Sequence, residues 1–154
     1  MKKISIFILL LLLIGCSSKE KDNISYFQNP SNVVKIPVIE KVVEGQKLSF
    51  IIDSGANMSI IDSIWYSSNE NLFEHDSEIN ILLTGISGVV STKSKVIYTE
   101  IDGNYVVFTT SDLSPVIINL RRQGYNVVGI LGSDYFQDNN LIIDYNKQAV
   151  YSAK

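Results

Sequence analysis

A small, mostly antiparallel β barrel or sandwich is the fold class that this 154-residue sequence predicts. Three observations point there. Short runs rich in Val, Ile, Tyr and Thr recur across residues 33–151. Turn-forming pairs stand between them: Glu44-Gly45, Asp102-Gly103 and Asn146-Lys147. No stretch after residue 32 sustains the 3.6-residue apolar period of a long helix.

The first residues stand outside that domain. Lys2 and Lys3 precede an unbroken apolar run over residues 6–14. Nine residues are too few to cross a hydrocarbon core, which takes about 20, but they suit the apolar region of a signal peptide. The run ends in Leu13-Ile14-Gly15-Cys16-Ser17-Ser18, which resembles the lipobox of bacterial lipoproteins. The resemblance implies that Cys16 is lipidated, becomes the mature N-terminus and anchors an exported protein to a membrane of the cell envelope. Ser17 resembles an outer-membrane sorting signal of two-membrane bacteria. An ordinary signal peptide with an incidental cysteine is the plainer alternative. Residues 1–15 are therefore expected to be the signal peptide. Residues 16–32, rich in Ser, Lys, Glu, Asp and Asn, read as a flexible tether. The domain itself is expected over 33–154.

Composition narrows the function. Cleavage before Cys16 would leave 139 of the 154 residues, enough for one domain with its own core. It would also remove two of the 13 basic residues against 16 acidic ones, and a balance of about −5 offers nucleic acid no basic face. Cys16 is the only cysteine, so no intrachain disulfide holds the fold. His75 is the only histidine and lies in the polar stretch Glu74-His75-Asp76. A zinc hydrolase needs two or three nitrogen or sulfur ligands, which cannot be assembled here, and a surface histidine is expected. No metal and no other cofactor are expected.

The elements follow in order. Val33-Val34-Lys35-Ile36-Pro37-Val38-Ile39 reads as a strand, paired through Glu44-Gly45 with Lys47-Leu48-Ser49-Phe50-Ile51-Ile52-Asp53. Residues 63–77 read as a loop or short helix around Trp65 and Tyr66. An apolar run at 79–83 is broken by Thr84-Gly85-Ile86-Ser87-Gly88. Residues 93–101 and 105–110 form a hairpin over Asp102-Gly103. Residues 127–131 form a strand of buried type that ends at Gly132. Ser133 is a candidate N-cap for a helical turn over 134–137. Leu141-Ile142-Ile143-Asp144-Tyr145 and Gln148-Ala149-Val150-Tyr151 close the chain as a hairpin.

The chemistry centres on Phe50-Ile51-Ile52-Asp53-Ser54-Gly55-Ala56. Three large apolar residues lead directly into an acid, and an acid delivered into a buried turn must be hydrogen-bonded or paired. Ser54 and the Gly55 backbone can supply such bonds, and glycine permits a tight turn. Alone, the tripeptide is an ordinary turn with a solvated acid. Downstream, however, stand Val128-Gly129-Ile130-Leu131-Gly132-Ser133-Asp134-Tyr135-Phe136 and Asn140-Leu141-Ile142-Ile143-Asp144-Tyr145. The combination resembles the retropepsin-like aspartic proteases, in particular bacterial single-domain members, across residues 33–151.

That resemblance implies a closed antiparallel barrel with one short helix, and Asp53 as the catalytic carboxylate. Ser54, Gly55 and Ala56 would support the catalytic loop, with Ile130, Leu131 and Gly132 packed beneath it in a ψ-shaped strand arrangement. Gly85, Ile86, Ser87 and Gly88 fall where the family carries its flap. The family more often has Thr where this chain has Ser54. Its threonine hydroxyl bonds across to the second catalytic loop, which a serine can do with less rotamer restraint. The mechanism needs two carboxylates sharing a proton. No second Asp-Ser/Thr-Gly follows Asp53, so the partner acid is expected from a second copy in a symmetric homodimer. The expected activity is endopeptidase cleavage of extended segments of a peptide or protein substrate. A catalytically silent domain of the same shape, binding peptides or envelope proteins, is the alternative.

Overall fold

In the computed structural model, which describes residues 24–28, 36–85 and 88–153, two tight hairpins form where the turn pairs stand. β2 (Val38–Val43) turns at Glu44-Gly45 into β3 (Gln46–Ile52), and β6 (Gly88–Ile101) turns at Asp102-Gly103 into β7 (Asn104–Ser111). All four turn residues take positive φ, at 46°, 78°, 53° and 85° in chain order. That is the mirror-image turn whose twist matches antiparallel strands. A third hairpin joins β9 (Leu141–Asp144) to β10 (Ala149–Ser152).

The other elements are β1 (Ser25–Tyr26), β4 (Ile60–Asp62), α1 (Ser63–Tyr66), a 3-10 turn (Glu70–Leu72), β5 (Glu74–Gly85), α2 (Ser114–Arg122), β8 (Val127–Leu131) and α3 (Ser133–Asp138). Seven strands form one sheet in the order β2-β3-β8-β4-β7-β6-β5, and one further pairing, Val43 with Ile101, links β2 to β6. A second sheet holds β1, β10 and β9 in that order. The protein is mostly β, as the sequence predicts. Two pairings depart from the antiparallel expectation, because β3 runs parallel to β8 and β4 parallel to β7.

The expectation of one short helix is also corrected, since three α-helices are present among the described residues. The unforeseen one, α2, starts at Ser114-Pro115, with the proline where a missing N–H costs nothing. It buries Ile117 and Leu120, and its place explains the run of apolar residues in the central strands. Phe50 and Ile52 of β3 point into one core with Ile61, Phe108 and Leu131. Ile51, between them, points the other way into a second core with Ile60, Ile130, Leu113, Ile117 and Leu120. Central strands covered on both faces read as continuous apolar sequence rather than alternating sequence. Full burial stabilises each such side chain by about 1.5–3 kcal/mol relative to leaving it in water.

The domain begins earlier than residue 33. Ser25 and Tyr26 pair with Val150 and Ala149, the Phe27 amide donates to the Gln148 carbonyl, and the Gln28 amide donates to the Val38 carbonyl. Part of the expected tether is thus built into the fold. The expected signal peptide, Cys16, the rest of the tether and residues 33–35 lie outside the described residues, as do Ile86 and Ser87.

Candidate active site

β8 lies between β3 and β4, and this placement creates the site. Ile51 and Ile52 of β3 pair with Ile130 and Leu131 on one side. On the other, Ile60 and Ile61 of β4 pair with Ile130 and Gly129. The chain must therefore leave β3, cross the end of β8 and return as β4. The crossing is the loop 53–59, which begins with Asp53.

The loop is held along its length. The Asp53 amide donates to the Leu131 carbonyl at 3.1 Å, which continues the strand pairing by one step. The Ala56 amide donates to the Asp53 carbonyl at 3.1 Å, and the Gly55 amide donates to Asp53 Oδ1 at 2.9 Å. These bonds close a turn and aim the carboxylate. Opposite, the Ser133 amide donates to the Ala56 carbonyl at 2.7 Å. Gly132 lies beneath the loop, where a Cβ would meet the Met58 carbonyl carbon and oxygen at 2.7 Å and the Ala56 carbonyl at 2.9 Å. Only a residue without a side chain permits that approach.

The structure differs from the sequence reading in how Asp53 is housed. Asp53, Ser54 and Gly55 are exposed, so the acid stands at the surface of the single chain rather than in a buried turn. The Gly55 amide supplies the expected bond, whereas the Ser54 hydroxyl makes none to Asp53 among the described residues. Ala56 packs against the second core, and Ile130, Leu131 and Gly132 are buried behind the loop. Gly85 and Gly88 pair across the tip of the β5–β6 hairpin. His75 is exposed on β5.

The helix after Gly132 also differs from expectation. Gly132, not Ser133, is the N-cap residue, with extended backbone, and Ser133 opens α3. The carboxylate of Asp134, in the first turn, does the bonding instead. Its Oδ1 accepts from the Tyr135 amide at 2.7 Å and from the Ser59 hydroxyl at 2.8 Å, while its Oδ2 accepts from the Ser59 amide at 2.7 Å. The Ser59 hydroxyl in turn accepts from the Gly132 amide at 3.0 Å. Sequence reasoning missed this pair; its one visible signal is an acid in the first turn of a short helix.

Other acids are likewise engaged. Asp62, wholly buried, accepts from Arg121 Nη2 at 2.9 Å and from the Leu113 amide at 3.1 Å. Arg121 also donates to the Val127 carbonyl, so this ion pair fastens α2 to the central strands. Asp144 Oδ1 accepts from the amides of Asn146 and Lys147 in the β9–β10 turn. The Lys147 amide is the chief cause holding the Asp144 carboxyl below the usual carboxylate range, with smaller contributions from the Lys147 ammonium and the Tyr151 hydroxyl. Asp102 accepts from the buried Lys41 ammonium at 2.6 Å.

Comparison with known proteins gives little more. No family model matches the chain, and no curated protein does. Among solved structures, the EIAV protease complexed with the inhibitor HBY-793 is similar, with 22% identity, a TM-score of 0.46, and coverage of 70% of this chain and 90% of that one. A likeness of that size identifies no residue of this chain as functional.

Proposed function

We propose that this protein is an aspartic endopeptidase whose active unit is a homodimer, each copy contributing Asp53 as one of two catalytic carboxylates. One observation carries the reading. Asp53 stands exposed on a loop that the end of β8 and the start of α3 hold in place, while Asp134 and Asp144, which would have to supply a second acid within one chain, are committed to structural bonds. The sequence resemblance to retropepsin-like proteases supports the assignment.

Two carboxylates brought within about 3 Å cannot both ionise readily, so the pair holds one proton between them. The ionised acid takes a proton from a water that attacks the scissile carbonyl, and the protonated acid donates a hydrogen bond to the carbonyl oxygen. Ser54 of each copy would bond across to the opposite loop, which its exposure permits. The β5–β6 hairpin tip, with Gly85, Ile86, Ser87 and Gly88, would act as the flap over an extended peptide held by strand-type hydrogen bonds. In this reading the Val43–Ile101 pairing is the seam at which the sheet closes into a small barrel.

The chain would be tethered through a lipidated Cys16 in the cell envelope, and shared tethering raises the effective concentration of the two copies. Cys16→Ser should then leave the protein in the aqueous phase of a detergent partition; equal partitioning of variant and wild type would contradict the anchor. Asp53→Asn should abolish peptide cleavage without loss of melting temperature, because the amide keeps the size of the acid but cannot take a proton from water. Cleavage by the purified variant would place the chemistry elsewhere. Peptide binding by the wild type without turnover would make the domain a binding module.

A further inference from the structure

We propose that Asp134 is a positioning residue for Asp53: through Ser59 it fixes the far end of the loop 53–59, and so sets where the Asp53 carboxylate stands. The inference rests on the protease reading for its kinetic consequence but not for its geometry.

The near end of the loop is fixed by strand pairing, since the Asp53 amide extends the β3–β8 register. The far end has another fastening. Ser59 is wholly buried, and both of its polar donors, amide and hydroxyl, go to one carboxylate, that of Asp134. The hydroxyl also accepts from the Gly132 amide, next to the Leu131 carbonyl that receives the Asp53 amide. On the opposite side of Gly132, Ser133 holds the Ala56 carbonyl. Asp134 and Asp53 are therefore joined by two short chains of hydrogen bonds that meet around Gly132. The carboxylate is met by neutral donors only, and among the described residues no cation pairs with it. A group held that way locates its donors accurately, because three directed bonds, two to Oδ1 and one to Oδ2, fix its plane.

The chemistry of the substitution is specific. In Asp134→Asn, one of the two terminal atoms becomes an NH2. Whichever way the amide turns, that NH2 faces an N–H, of Ser59 or of Tyr135, and a donor meets a donor. Ser59→Ala keeps the backbone bond to Asp134 but removes the hydroxyl bond, and leaves the Gly132 amide without its acceptor.

The test compares Asp134→Asn and Ser59→Ala with wild type, each in the full chain. One arm measures kcat and KM on a peptide that the wild type cleaves. A misplaced carboxylate should lower kcat by about a hundredfold while KM stays within about twofold. The other arm measures amide hydrogen exchange at Gly55 and Ala56, whose bonds define the Asp53 turn. Exchange there should quicken by about fivefold, the equivalent of one buried hydrogen bond, while Ile51 and Ile130 keep their protection. Ser59→Thr, which keeps the hydroxyl, should restore most of kcat. Unchanged kcat together with unchanged exchange at Gly55 and Ala56 would overturn the proposal. So would loss of protection spread evenly through β3 and β8, which marks a structural role alone. If Asp134→Asn does not fold, Ser59→Ala carries the same comparison. If the wild type cleaves nothing, the protease reading fails, and the exchange arm still decides whether Asp134 fixes the turn.

Discussion

The loop 53–59 and the β5–β6 hairpin are opposites in construction. The loop has no regular secondary structure, yet strand pairing fixes one end, a carboxylate fixes the other, and Gly132 lies against its middle. The hairpin, after one register shift between His75 and Ser77, is regular, with strand pairing from Ser77–Val96 out to Gly85–Gly88. Its support runs out towards the tip, however. β7 pairs with β6 only from Val96 to Ile101, and β5 is the last strand of the sheet. Thr110 of β7 still holds the Ser94 hydroxyl and the Lys95 amide, but beyond Ser94 the strand pairing is that of a two-stranded ribbon, and such ribbons are marginally stable on their own. Regularity and constraint are therefore separate properties here. In the proposed protease the irregular segment would hold the carboxylate in place, and the regular one would be the flap that moves.

This contrast can be broken at its firmest point. Gly132→Ala should destabilise the protein by about 2–3 kcal/mol, read as a lower denaturant midpoint, because the new Cβ overlaps the Met58 and Ala56 carbonyls and forces the loop away from β8. A midpoint equal to wild type would mean that the loop is loosely seated. At the other extreme, Gly85→Val with Gly88→Val should shift stability by less than about 1 kcal/mol, since both lie at the end of the ribbon. The same pair should raise KM for a peptide by stiffening the tip. Large unfolding with unchanged KM would reverse the roles assigned to the two regions.

How far the sequence foretells this structure depends on how local each feature is. The hairpins over Glu44-Gly45 and Asp102-Gly103 are legible because their turn chemistry lies in adjacent residues, and positive φ at all four positions bears that out. The apolar runs before Asp53 and before Gly132 mark the central strands, yet their parallel pairing joins residues far apart in the chain and has no local signature. Helix α2 escapes notice because it is short and buries only Ile117 and Leu120, too few positions to display a period. At the site, Asp53 stands out through the apolar residues that lead into it. Its exposure does not, because a strand of Phe and Ile suggests burial to the end while the chain turns outward at Asp53. The Ser59–Asp134 pair spans 75 residues of sequence, and neither member looks unusual where it stands.

In the proposed homodimer each active site takes Asp53 from two chains. The most direct measurement of this is specific activity across a dilution series, repeated with an excess of Asp53→Asn protein after subunit exchange. A homodimeric site should lose activity steeply on dilution and be suppressed by the variant beyond simple dilution, because mixed dimers hold one carboxylate and cannot share a proton between two. Activity that is flat across dilution and indifferent to the variant would contradict it, and would assign catalysis to a single chain.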